Sequence, residues 1–240
     1  MKIYKFSELL KNEERVQELY SKYGLSLNPA SRIIQYFAYL RKLEEIRKQD
    51  PETFKENFAK NKLKFYFSQF YVMELSKIAN ALEKSNPKDK IVKNKLSDLS
   101  KGTYLLSEED VANTRARDTM FELSLFAFLR KFNLNVELCE PNPDIRLTSN
   151  NFIYNIECKR PSSMNSVEHQ IKKAKKQLDK MVKKGVIPTI ALSLDQIFLK
   201  KVLENKEKHD ILLYSKNDTS ALAFLDTTLF KFLAENNFIL

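Results

Sequence analysis

The sequence predicts an α/β (α+β) protein, on three observations. Through residues 1–100, apolar side chains recur at spacings of three and four, the pattern of helices buried on one face. After Phe132 the period changes to the alternation of extended strands. A lysine-rich amphipathic stretch then separates those strands from a further apolar run at 186–194.

Asn28-Pro29-Ala30-Ser31 opens the first clear helix, whose Ile33, Ile34, Phe37, Leu40, Leu43 and Ile46 form a stripe. The next carries Leu63, Phe65, Phe67, Phe70, Tyr71, Met73, Leu75, Ile78 and Leu82. It is apolar almost all round, so it is expected to be well buried. Asn86-Pro87 stops it, because a residue before proline disfavours helical dihedrals. Lys84, Lys88, Lys90, Lys93 and Lys95 then make a basic connector. The polar segment 85–102 is the expected boundary between a helical N-terminal region, 1–100, and a second domain, 101–240. Ser107-Glu108-Glu109-Asp110 has the capping hydroxyl and early acids of a helix start, and that helix runs through Phe132.

Leu134 to Leu138 alternates as a strand, and Pro141-Asn142-Pro143 breaks the chain. Asp144-Ile145-Arg146-Leu147 is a second short strand, with turn chemistry at Ser149-Asn150-Asn151. A third strand spans residues 152–159 and ends before Pro161. The lysine-rich helix covers about 166–184, with Gly185 placed to cap it. Residues 186–194 read as a buried strand, 210–214 as another, and 228–236 as a last helix.

Composition narrows the function. Apolar residues make up 43% of the 240, a globular composition. Only 3 glycines occur, none close to another in sequence, which argues against a glycine-rich phosphate loop. The net charge of +10 draws the chain to polyanions, although a solvated lysine-rich surface gives the same total. No apolar run is long enough to span a membrane, and the first residues lack the apolar block of a signal peptide. With 2 cysteines and 2 histidines there is neither a disulfide framework nor a zinc cluster. A cytoplasmic protein with no membrane partner is expected.

The chemistry concentrates at the strands. Glu157 and Lys159 are two apart, so they share one face of a strand, while Phe152, Tyr154, Ile156 and Cys158 take the other and face the core. Charges in mid-sheet cost several kcal/mol when unpaired, so this pair is either at an exposed strand end or placed for function. A hairpin brings Asp144 beside Glu157. Carboxylate oxygens suit Mg²⁺, a hard cation that keeps several waters. Glu122 is an acid in the apolar half of its helix, flanked by Phe121 and Leu123, and can point at the same place if that helix packs on the sheet.

The order helix-borne Glu122, Asn142-Pro143-Asp144-Ile145, then Ile156-Glu157-Cys158-Lys159-Arg160-Pro161 resembles the PD-(D/E)xK phosphodiesterase superfamily, over about residues 114–194. An acid-x-Lys triplet alone is weak; Glu204-Asn205-Lys206 is a chance copy. The specificity lies in the combination. The resemblance implies a restriction-endonuclease-like αβββαβ core with a central mixed sheet. It implies Mg²⁺ (or Mn²⁺) held by Asp144, Glu157, the Cys158 carbonyl and Glu122, with Lys159 positioning the attacking water. The substrate class is nucleic acid, DNA ahead of RNA because most of the superfamily acts on it, and a homodimer would let two sites cut both strands.

Secondary contacts are read from the neighbouring residues. Lys172, Lys173 and Lys176 of the basic helix are candidates for neutralising phosphates. Gln177 flanks the apolar stripe and is a candidate to lie beside the site, as is Arg160 for the nucleic-acid strand, on the side opposite Lys159. The reading from another class is a non-catalytic protein that binds nucleic acid or a partner on the same fold. The plain structural alternative is a surface hairpin with an ordinary Glu–Lys pair.

Overall fold

A computed structural model describes residues 6–105, 108–109 and 114–197, the side chains of residues 6, 59, 62, 63 and 66 aside. Residues up to Leu194 belong to one compact unit. Asp195–Ile197 fall to a second, of which only this helical turn is described. The strand expected at 210–214 and the helix expected at 228–236 lie outside the described residues.

The larger unit is mixed α/β. Helices α1 (Phe6–Leu10), α2 (Asn12–Lys22), α3 (Arg32–Gln49), α4 (Pro51–Lys60), α5 (Lys62–Leu82) and α6 (Lys90–Leu99) come first. Then follow α7 (Arg115–Lys131), β1 (Asn135–Leu138), β2 (Ile145–Ser149), β3 (Phe152–Lys159), α8 (Met164–Asp179) and β4 (Val186–Leu192). Caps set several boundaries: Ser31 accepts the Ile34 N–H at α3, and Asp89 accepts the Ile91 and Val92 N–H groups at α6.

The described strands form a mixed sheet in the order β1-β2-β3-β4, with β1–β2 and β2–β3 antiparallel and β3–β4 parallel. The β2–β3 turn is made by Asn150 and Asn151 at φ 48° and 64°, the left-handed pair that a two-residue hairpin needs. The parallel β3–β4 pair needs a crossover, which α8 supplies. Helix α7 packs against β1 and β3, and α8 against β3 and β4.

One hydrophobic cluster runs from Tyr20, Phe37, Leu75 and Leu96 through Leu123 and Phe126 to Val136, Ile145, Ile156 and Cys158. The helical region and the sheet therefore share a core. The segment 85–102, expected as a boundary at residue 100, instead contains α6, whose Val92, Leu96 and Leu99 are buried. Its lysines hid the pattern: Lys90 and Lys93 occupy the solvent side of a helix whose apolar residues recur at three and four.

Other expectations shift locally. The lysine-rich helix ends at Asp179, five residues earlier than expected. Gly185 lies beyond it at φ 81°, and its carbonyl accepts the Ile153 N–H at 2.9 Å, which docks β4 on β3. Phe152, expected in the core, is 45% exposed because it sits at the hairpin turn. Phe70 of α5 is likewise exposed, so that helix is buried on one side only. β4 is half-buried rather than buried, and Pro188 on it faces solvent, where a missing N–H costs little.

Buried arginines staple Leu99, Thr103, Tyr104 and Glu109 to the body. Arg32 donates to the Leu99 and Ala116 carbonyls at 3.0 and 2.9 Å. Arg117 donates to the Tyr71 hydroxyl and to the Thr103 and Tyr104 carbonyls. Arg160 donates with both terminal nitrogens to Glu109 at 2.8 and 3.0 Å, a two-pronged pair that excludes water. Among the described residues no helix is long and apolar enough to cross a membrane.

Leu96 is fully buried where the helices meet α7. Leu96→Ala is expected to cost about 2–5 kcal/mol in urea unfolding. In wild type, loss of helical circular dichroism and exposure of the Cys158 thiol should occur at the same denaturant concentration; two separated transitions would mean two cores.

Candidate active site at the sheet end

The hairpin register builds the site. Ile145 pairs with Ile156, so the next position outward sets Asp144 against Glu157. Beyond Ile145 a side chain takes over from the backbone ladder. The Asp144 carboxylate accepts the Cys158 N–H at 2.7 Å, and the Asp144 carbonyl accepts the Cys139 N–H at 3.0 Å. Glu140-Pro141-Asn142-Pro143 delivers the chain to this point, with both X–Pro peptides cis.

Strand alternation then sorts the side chains. Ile156 and Cys158 join the core with α7, and Asn155, Glu157 and Lys159 take the opposite face, where Asn155 meets Met181 just past α8. Glu157 is fully buried, and Lys159 donates to it at 2.8 Å. Burial pushes the Glu157 carboxyl up, Lys159 pulls it back, and the like charge of Asp144 adds to the rise.

Glu122 reaches the same cluster from α7. It is mostly buried, and it is held by Lys95 of α6 in an ion pair. Burial raises its pKa first, Lys95 opposes, and Asp144 raises it further. Lys95 itself is 8% exposed at its side chain; Glu122, Asp144 and Glu140 together hold its proton on more firmly than burial strips it. Asp144 is thus the charge that both other acids feel.

Lys95 was missed as a site residue. It belongs to a lysine-rich stretch 27 residues before Glu122, and only the helical spacing that buries Val92, Leu96 and Leu99 marks its face. Asn142 was also missed. Turned so that its amide nitrogen meets acceptors, it donates to Glu157 at 3.0 Å and to the Pro141 carbonyl at 2.9 Å. Gln177 on α8 lies 2.7 Å from the Asn142 side chain, so this glutamine does sit beside the site, one residue removed from Glu157.

Arg160 does not. It is buried against Glu109, and Asp118 lies 3.8 Å away, on the side opposite Lys159. Lys172, Lys173 and Lys176 are exposed on α8. Lys172 pairs with Glu168 at 2.6 Å in full solvent, a contact worth little. Lys173 is four residues before Gln177 and shares its helix face.

Among the described residues no three His, Cys, Asp or Glu side chains already meet in a metal-binding arrangement. The donor chemistry nonetheless fits a hard divalent cation. Glu122, Asp144 and Glu157 offer carboxylate oxygens, and Asp144 pushes both partners toward protonation, the strain that a cation relieves. No protein-family model, curated protein or solved structure matches the chain.

Lys95→Met removes the counter-ion of Glu122. Breaking such a buried pair costs about 3–5 kcal/mol. Glu122 then has a folded pKa further above its unfolded value. Its penalty is absent below the ordinary carboxylate pKa and grows as pH rises through the folded value. Urea unfolding should show a larger deficit at pH 8 than at pH 5; equal deficits would contradict the pairing.

Proposed function

We propose that the protein is a metal-dependent nuclease that hydrolyses phosphodiester bonds, with DNA as the favoured substrate. The observation that carries this reading is the β2–β3 register that sets Asp144 against Glu157 with Lys159 bonded beside them. The element order α7-β1-β2-β3-α8-β4 is compatible with the αβββαβ core of the superfamily that the sequence resembles.

Asp144 and Glu157 would hold Mg²⁺ or Mn²⁺, with Glu122 directly or through water and the Cys158 carbonyl as a further ligand. Bound there, the cation would lower the pKa of a water and offset charge on the scissile phosphate. The chain's own groups do the rest. Lys159, anchored by Glu157, positions the attacking water and meets charge developing on the phosphate. Asn142, turned toward it, keeps Glu157 oriented. Lys95 opposes the rise in the Glu122 pKa that burial and Asp144 cause. Lys173 and Lys176 hold the phosphate backbone.

A binding-only protein on the same fold is the second reading. It is favoured by the pairing of Glu122 with Lys95 and of Glu157 with Lys159, an arrangement complete without a cation. Under it Lys159→Ala leaves function unchanged, and charge reversal along α8 abolishes it.

Supercoiled plasmid incubated with the protein and Mg²⁺, Mn²⁺ or EDTA separates the two. The nuclease reading expects metal-dependent cutting that falls about 10²–10³-fold in Lys159→Ala. A ratio of linear to nicked product that rises with protein concentration would signal a homodimer cutting both strands. Cutting in EDTA, or undiminished in the variant, contradicts the reading. Lys173→Gln with Lys176→Gln should lower the salt slope of DNA binding by about 2; an unchanged slope removes α8 from the interface.

A further inference from the structure

A second place in the molecule offers binding chemistry and shares no residue with the acid–lysine cluster. It is a cavity of about 430 Å³ lined by α3, Asn57 of α4, Lys64 of α5, and Asn61 and Tyr104. Small-molecule sites run from about 300 to 1,000 Å³, so this one has the size of a ligand pocket.

Its charge is unbalanced. Lys64 lies 4.7 Å from the ring centre of Tyr39 and 4.9 Å from that of Tyr104. The tyrosines hold the ammonium by their ring faces and leave its charge uncancelled. Among the described residues neither Lys64 nor Lys42, also on the lining, has a carboxylate within ion-pair distance, and the lining contains no acid. Nearby lysines on the same helices differ: Lys48, Lys55 and Lys60 are each paired with an acid one turn away.

Its amides point the same way. One N–H of Gln35 is used on the Ala30 carbonyl at 3.1 Å, one of Asn57 on the Thr53 carbonyl at 2.9 Å, and one of Asn61 on the Asn57 carbonyl at 3.1 Å. What remains for a ligand is three amide oxygens, the second N–H of each amide, and the Tyr39 hydroxyl, which is buried without a hydrogen-bond partner among the described residues. Leu43 and Ile46 add an apolar wall. The complement to two ammonium groups, amides and a hydroxyl that both accept and donate, and an apolar wall is an anion that also carries hydrogen-bonding groups and a flat apolar body. We infer that this cavity binds a nucleoside monophosphate. Lys42 and Lys64 would take the phosphate, the amide oxygens would accept from ribose hydroxyls and base amino groups, and the base would lie on Leu43 and Ile46. A sugar phosphate leaves the apolar wall bare, and inorganic phosphate leaves the acceptors unused as well.

Calorimetric titration of the full chain in EDTA, with AMP, CMP, ribose 5-phosphate and inorganic phosphate, tests this. The expected result is saturable 1:1 binding of a nucleotide, about tenfold or more tighter than either smaller probe. Lys42→Gln with Lys64→Gln should weaken it at least about tenfold, and Asp144→Ala should leave it unchanged. Circular-dichroism melting of each variant shows that it is folded, and the single lysine variants replace the double one if that melts early. Three results overturn the inference: no saturable binding, phosphate binding as tightly as nucleotide, or binding lost in Asp144→Ala and kept in the lysine variants. None of them bears on whether the acid cluster cuts DNA.

Discussion

At the end of the β2–β3 hairpin the Asp144 carboxylate accepts the Cys158 backbone N–H at 2.7 Å, and the rest of the site depends on that bond. It fixes a charged side chain where the strand ladder would otherwise end. It holds Asp144 in register against Glu157 and in range of Glu122. A hydrogen bond to an ionised acceptor is worth roughly 1.5–3 kcal/mol, enough to set a loop whose backbone would otherwise choose among several paths. With Asp144 held, the burial of Glu157 and the approach of Glu122 become electrostatic liabilities that the fold must answer.

The answers come from distant parts of the chain. Lys159 on the same strand serves Glu157, and Lys95 on α6 serves Glu122. The second of these explains why the helical region shares a core with the sheet: α6 must pack on α7 for its lysine to reach. The arginines do related work on the other face. Arg160, directly after Lys159, is pinned to Glu109, and Arg117 ties Thr103 and Tyr104 to Tyr71. The end of β3 is thereby held on both faces, by carboxylate–lysine contacts on one and by carboxylate–arginine contacts on the other. The positioning role proposed for Lys159 needs such support, because an error of an ångström is costly.

Local structure was legible where local physics decides it. The bounds of β3 and the Asn150–Asn151 turn followed from alternation and from asparagine's tolerance of positive φ. Glu157 and Lys159 on one face, with Glu122 an anomalous acid in an apolar helix, were legible for the same reason. Lys95 was not, since a lysine among many lysines carries no mark until tertiary packing buries it. That Arg160 lies opposite Lys159 was legible from alternation, but its partner Glu109, 51 residues earlier, was not. Asn142 was read as part of a chain break and of the Asn142-Pro143-Asp144-Ile145 motif but given no role of its own, since that role depends on where two prolines turn the backbone. Long-range partners of this kind are set by packing between elements and leave little trace in spacing.

The central claim is that the carboxylates around Asp144 form a site for a divalent cation. The most direct test is Mn²⁺ titration followed by thermal unfolding, on wild type and Asp144→Ala. A ligand that binds only the folded state stabilises it by about 2.7 kcal/mol at a hundred times its dissociation constant. The account predicts a saturable rise in melting temperature for wild type that Asp144→Ala lacks. No rise in wild type, or the same rise in both proteins, would contradict it.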